Sequence, residues 1–237
     1  MKKLLATLSI AALAGLSSAA QAVPTVSLHG DNAGINTLSY NVSGTTITIN
    51  ETWNSTGPGI LVIDGLDQNT NYTVIKNITN NTGVDFVSFA NELLDPEGQA
   101  NDANDQAPDA FVPTGYTHSN NGDGLSFAQN SGIARTSSAF ASNAADEFDT
   151  RDFLDFFNGT LADGTTESIQ FGLRDVLGIG SDACLGPNNQ SECPNQPFLL
   201  VQRPNVRSIK VPEPASLGLF GIGLAGVAWS RRRRKAS

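Results

Sequence analysis

Four oxygen-bearing side chains crowd into one short stretch of this 237-residue chain: Asp102, Asn104, Asp105 and Asp109, in DANDQAPDA. Hard oxygen ligands at close spacing suit Ca²⁺. The stretch lacks the central glycine and distal glutamate of a helix–loop–helix calcium site, so its plainer reading is a solvated acidic loop. Asn121 and Asp123, in THSNNGDGLSF, raise the same chemistry with fewer ligands. The two histidines, His29 and His118, do not stand in a His-Glu-x-x-His zinc pattern. There is no Gly-x-Ser-x-Gly elbow to present a serine, and no Gly-x-x-x-x-Gly-Lys-Ser/Thr loop to cradle a phosphate. Carboxylate pairs of the kind that hydrolyse glycosides are always available in a chain with 23 acids, so their presence decides nothing. Trp53, Tyr72 and Tyr116 offer faces on which sugar rings stack, although Trp53, at a strand end, reads equally as core. These residues point away from an enzyme and from an obligatory cofactor, with Ca²⁺ at 102–109 the one metal candidate.

The two cysteines, Cys184 and Cys193, lie in DACLGPNNQSECPNQP, a polar loop rich in turn formers. In an oxidising compartment a close, even pair reads as a disulfide closing a loop, worth about 2–3 kcal/mol. A metal or redox thiol pair is the rival reading, and it lacks a nearby histidine or a Cys-x-x-Cys.

The elements that must position these residues are mainly β. LSYNVSGTTITINETW alternates polar and apolar residues around Ser43-Gly44-Thr45, which predicts a hairpin. GILVIDGL is a short apolar run bounded by glycines. NYTVIKNITNNTGVDFVSFANELL holds two β-rich runs separated by the turn signal Asn80-Asn81-Thr82-Gly83. Val, Ile, Thr and aromatic residues dominate these runs, as half-buried strands require. Residues 95–116 are acidic and proline-bearing, a long loop or edge insertion. DEFDTRDFLDFFNGTL predicts the one short helix, with Phe148, Phe153, Leu154, Phe156 and Phe157 as its apolar stripe, acids at its start and Gly159 at its end. ESIQFGLRDVL and PFLLVQRPNVRSIKV read as two more strands, paired with each other across the cysteine loop. The expected architecture is an antiparallel β-sandwich or jelly-roll-like body.

The two ends have a different character. MKKLLATLSIAALAGLSSAAQA has Lys2 and Lys3, an apolar run from Leu4 to Leu16, and the small-x-small site Ala20-Gln21-Ala22. This is a secretory signal peptide over 1–22, cut by signal peptidase after Ala22. At the other end, Ala215 to Trp229 carries no charge and predicts a short transmembrane helix. Arg231, Arg232, Arg233, Arg234 and Lys235 follow as a stop-transfer cluster held on the cytoplasmic side. Ahead of the apolar run, Pro212 and Pro214 flank Glu213 and keep that backbone extended and readable. The body, residues 23–210, holds 22 acids against 7 bases, a net of −15 where the whole chain has −9. That charge repels nucleic acid and other polyanions unless cations bridge them.

The segment Val211-Pro212-Glu213-Pro214-Ala215-Ser216, the apolar run and the arginine-rich end together resemble the PEP-CTERM sorting signal. The resemblance spans 211–237. It implies recognition by an exosortase, a membrane-embedded transpeptidase-like enzyme of Gram-negative bacteria that cuts near the motif. It also implies a precursor held transiently in the inner membrane, then release to the cell surface or matrix, where such proteins are tied to exopolysaccharide and biofilm. The body is then expected to bind or organise exopolysaccharide or matrix proteins. A secreted hydrolase of matrix polysaccharide and a permanently anchored periplasmic protein stand as alternatives.

Overall fold

The computed structural model describes residues 23–67, 69–96, 112–119, 125–146, 151–175 and 197–206. These form thirteen strands in two sheets. The first sheet holds β1 (Thr25–Leu28), β4 (Gly59–Asp64), β13 (Phe198–Val206), β6 (Phe86–Pro96), β11 (Phe153–Gly159) and β10 (Phe140–Asp146) in that spatial order. A short strand β7 (Tyr116–His118) pairs with the far end of β6. The second sheet runs β2 (Ile35–Ser43), β3 (Thr46–Trp53), β5 (Asn71–Asn80), β12 (Thr166–Asp175) and β8 (Leu125–Ser126), with β9 (Thr136–Ser137) also on β12.

Period-two patterning decides which faces meet. Ile47, Ile49 and Trp53 on β3 are buried, as are Tyr72, Val74 and Ile78 on β5, with more exposed residues between them. They face Leu61, Ile63, Phe89, Leu93, Leu154, Phe156 and Leu200 of the first sheet in one continuous core. Trp53 bridges the layers, its ring 5.4 Å from Phe89 and 6.1 Å from Phe86, both edge-on. Aromatic pairs in that geometry add stability beyond their buried area. Gly34 and Gly59 lie against the indole, and a Cβ on either would fall inside its van der Waals envelope.

The body is mainly β, as the composition of its runs indicates, and Gly44, at φ +58°, turns the β2–β3 hairpin where Ser43-Gly44-Thr45 predicts it. Three expectations are corrected. Of the predicted helix over 146–161, residues 153–159 are instead the strand β11, residues 147–150 with Phe148 lie outside the described residues, and among the described residues there is no helix. Leu154 and Phe156 point into the core, while Phe153, Asp155 and Phe157 face the other way. Four apolar residues in the five positions 153–157 satisfy either period, and aromatic density favours the strand once β6 and β10 flank it. Secondly, β12 and β13 do not pair; β12 joins β5 in the second sheet and β13 lies between β4 and β6 in the first. Thirdly, the sheets are not wholly antiparallel. The pair β3–β5 is parallel, because the chain crosses to the first sheet through β4 before returning. The Asn80–Gly83 turn likewise carries the chain from one sheet to the other, with Gly83 at φ +84°.

Candidate functional site on the outer face of the first sheet

The central strands of the first sheet are apolar on both faces. On β13, Phe198 and Leu200 enter the main core, whereas Leu199 and Val201 join Ile60 and Leu94 in a second cluster on the outer face. Val112 and Tyr116 pack over that cluster. The same outer parity continues along each strand into polar residues: Glu92 on β6, Arg203 on β13, and Phe153 and Asp155 on β11, whose Cα partners are Glu92 and Ala90.

Glu92 is the hub. Its side chain is 4% exposed, yet three cationic or ionisable groups reach it. Arg151 donates Nε to Oε1 at 2.5 Å, Arg203 pairs with Oε2, and His118 Nδ1 lies 2.8 Å from Oε1. A carboxylate can stay ionised when buried only if charge and hydrogen bonds replace the water it lost. Four chain segments meet here: β6 with Glu92, β7 with His118, β13 with Arg203 and the residues ahead of β11 with Arg151. Backbone bonds from Ser119 N to Leu93 O, from Asp152 N to Ser119 O and from Leu93 N to Asp152 O tie the end of β7 to β6 and to the residue after Arg151. Ser119 Oγ donates to Asp152 Oδ2 at 2.7 Å.

The surface here sinks into an open depression lined by Glu92 itself with Ala90, Asn91, Arg151, Phe153, Asp155 and Arg203. The arginine side chains are 29% and 25% exposed, so both are partly open to solvent. Burial raises the Asp155 carboxyl above the ordinary carboxylate range, and Arg151 pulls it back. Burial lowers the Arg203 guanidinium from its usual value. Small, aromatic, cationic and acidic surfaces meet within one sheet face. That combination suits a polar ligand with hydroxyl or carboxylate groups around an apolar ring.

A second polar cluster lies between the sheets and has no outlet. Lys76 Nζ is 3.1 Å from Glu51 Oε2, and both side chains are fully buried. Lys76 also bonds Gln202 Oε1, Gln202 Nε2 donates to Glu51 Oε1 at 3.0 Å, and Trp53 Nε1 donates to Glu51 Oε2 at 3.2 Å. The ammonium stands 5.2 Å above the Phe89 ring. Burial pulls the Lys76 pKa down, and Glu51 opposes that pull. This network joins β3, β5 and β13 and belongs to the frame.

Neither cluster is recognised from residue types alone. Strand parity carries the signal: Glu51 and Lys76 occupy inward positions among Ile47, Ile49, Trp53, Val74 and Ile78, and Arg203 follows Leu199 and Val201 on one face. Of the aromatic residues considered for sugar stacking, Trp53 is fully buried and Tyr72 is 2% exposed, so neither offers a face. Tyr72 instead bonds Asp67 through its hydroxyl. Tyr116 is half-buried, edge-on to His29 at 5.9 Å. His118 sits with Glu92, and His29 Nδ1 accepts from Asp31 N at 3.2 Å. Among the described residues no cluster of His, Cys, Asp or Glu could hold a metal ion. The calcium candidates Asp102, Asn104, Asp105 and Asp109, the pair Cys184 and Cys193, Ala20 and Ala22, and all of 211–237 lie outside the described residues.

Searches of curated proteins and of solved structures return no match. The family model of the PEP-CTERM protein-sorting motif matches residues 210–234, a segment that includes Pro212-Glu213-Pro214, the apolar run and the arginines from Arg231 to Arg234. The chain therefore carries a PEP-CTERM sorting motif, the mark of an exported protein that an exosortase sorts from a membrane-held intermediate.

Proposed function

We propose that this protein is a non-catalytic component of a bacterial surface or extracellular matrix, delivered there by exosortase processing. The observation that carries the reading is the motif match at 210–234. In this scheme signal peptidase cuts after Ala22, the run 215–229 holds the precursor in the inner membrane, and the exosortase cuts near Pro212-Glu213-Pro214. Cys184 and Cys193 form a disulfide once the chain leaves the cytoplasm. Ca²⁺ at 102–109 would offset part of the −15 charge of the body. The sandwich then engages exopolysaccharide or a neighbouring matrix protein, with the Arg151–Arg203 depression as the contact.

Two features support holding over cleaving. A hydrolase needs two carboxylates converging on a glycosidic bond with roles set apart by environment. Glu92 and Asp155 both line the depression, but Glu92 is gripped by two guanidiniums and a histidine, and neither Trp53 nor Tyr116 is among the lining residues. The deciding experiment is the intact mass of the protein isolated from its native host, purified with and without calcium. A mass ending between Val211 and Ser216, plus that of any attached group, supports sorting by tail removal. A mass running through Lys235 makes the protein permanently anchored and removes the matrix reading.

A further inference from the structure

A sheet edge is a row of unpaired backbone donors and acceptors, and proteins protect it with short strands, charges, prolines or bulges. Most edges among the described residues are protected in this way. β1 has four residues, β8 and β9 have two each, and β10 ends on Asp146. The longest edge strand is β2. It spans nine residues, INTLSYNVS, without a charge or a proline, and its one irregularity lies at the start, between Ile35 and Thr37. No charged residue occurs anywhere from 32 to 50. In a body of net charge −15, residues 32–50 form an uncharged strip.

The hairpin geometry shows which groups point outward. Ser43 and Thr46 close a two-residue turn, so they are a hydrogen-bonded pair. Pairs alternate along an antiparallel ladder. Asn41, Ser39 and Thr37 therefore direct their backbone N–H and C=O at β3, and Val42, Tyr40 and Leu38 direct theirs away from it. The side chains of these three share the inward face: Val42 is opposite Ile47 and Tyr40 opposite Ile49, both of which are fully buried. Leu38 and Val42 reach the core, but Tyr40 between them is 41% exposed.

We infer that β2 is the site of self-association, pairing antiparallel with β2 of a second copy about a two-fold axis at Tyr40. In this register Tyr40 faces Tyr40, and Leu38 faces Val42 of the other copy. Every outward backbone group of that segment finds its partner. A two-fold axis perpendicular to the sheet keeps both inward faces on one side, so the strips Leu38-Tyr40-Val42 merge into one apolar patch that continues both cores. The segment matches itself in register and apolar pattern, and its lack of charge lets two acidic bodies meet where repulsion is least. The inference does not depend on how the tail is processed.

The test is sedimentation of the protein, as exported, from micromolar to near-millimolar concentration. It compares wild type, Tyr40→Lys, Tyr40→Glu and an equimolar mixture of the two variants, with near-ultraviolet circular dichroism confirming the same fold in each. Wild type is expected to form a dimer. Each variant alone sets like charges across the axis and weakens association by about tenfold or more. The mixture recovers it as a heterodimer. A wild type that stays monomeric overturns the inference, as does a single variant that associates as tightly as wild type or a mixture that is no tighter than its components.

Discussion

Lys76→Met removes the ammonium from the sealed cluster between the sheets and keeps most of the side chain's volume. At 3.1 Å from Glu51 Oε2, with an effective dielectric of about 20, the gross attraction is about 5 kcal/mol. Desolvating each ion costs several kcal/mol, so the intact pair comes close to break-even. Removing one partner does not. Glu51, 1% exposed, would remain as a buried carboxylate held only by Trp53 Nε1 and Gln202 Nε2. The expected loss is about 3–5 kcal/mol of folding stability. Adding Glu51→Gln to Lys76→Met removes the stranded charge and keeps an oxygen to accept from Trp53. It should restore about 2 kcal/mol, a coupling typical of residues in one network. Urea denaturation followed by circular dichroism measures both variants, with the slope of the transition reporting whether the denatured state has changed. A Lys76→Met loss under about 1 kcal/mol, or a double variant no more stable than the single, would refute the reasoning, because the buried charge would then be reaching water or already be neutral.

Gly34→Ala should cost about 1–3 kcal/mol by pressing a methyl into the Trp53 ring and the Gly57 carbonyl, whereas Gly30→Ala, with nothing within 4 Å of its Cβ, should shift thermal stability by no more than about 0.5 kcal/mol. Equal effects would show that the glycine–indole contact is not tight. The Asp155 carboxyl has a folded pKa raised above its unfolded value, so its contribution is intact in acid below the unfolded pKa and is lost as pH rises through the folded one. Asp155→Asn escapes that loss and should gain on wild type as pH climbs from acid to neutral, read as the difference in urea midpoint; a difference that is flat with pH argues against the burial of this carboxylate. Replacing Pro212, Glu213 and Pro214 together by alanine should leave the body folded and the tail uncut, as an immunoblot of membrane and released fractions would show. Unchanged release would break the link between the motif and processing.

The sorting motif was legible because it is read as a linear segment: prolines that deny helix, an uncharged run and a basic stop act through their order along the chain, and 210–234 needs no body to display them. The β character of the body was legible for a local reason as well. Alternation along residues 46–53 and 71–80 records which side chains face the core, and Gly44 marks the hairpin because the turn needs φ above zero. The element over 153–159 was misread because its apolar density fits both periods, and only its neighbours β6 and β10 make it a strand. Strand partners were not legible either. β12 and β13 are successive in the chain yet lie in opposite layers, since pairing depends on which buried face each strand must cover. The site shows the same division. Nothing near Glu92 in sequence names Arg151, His118 and Arg203 as its partners. A buried carboxylate demands compensating charge, and which charges arrive is settled by four segments meeting on one sheet face. Sequence by itself determined the address of this protein and the chemistry of its strands; tertiary structure decided which charges were buried together, and which strand lies at the edge of its sheet among the described residues.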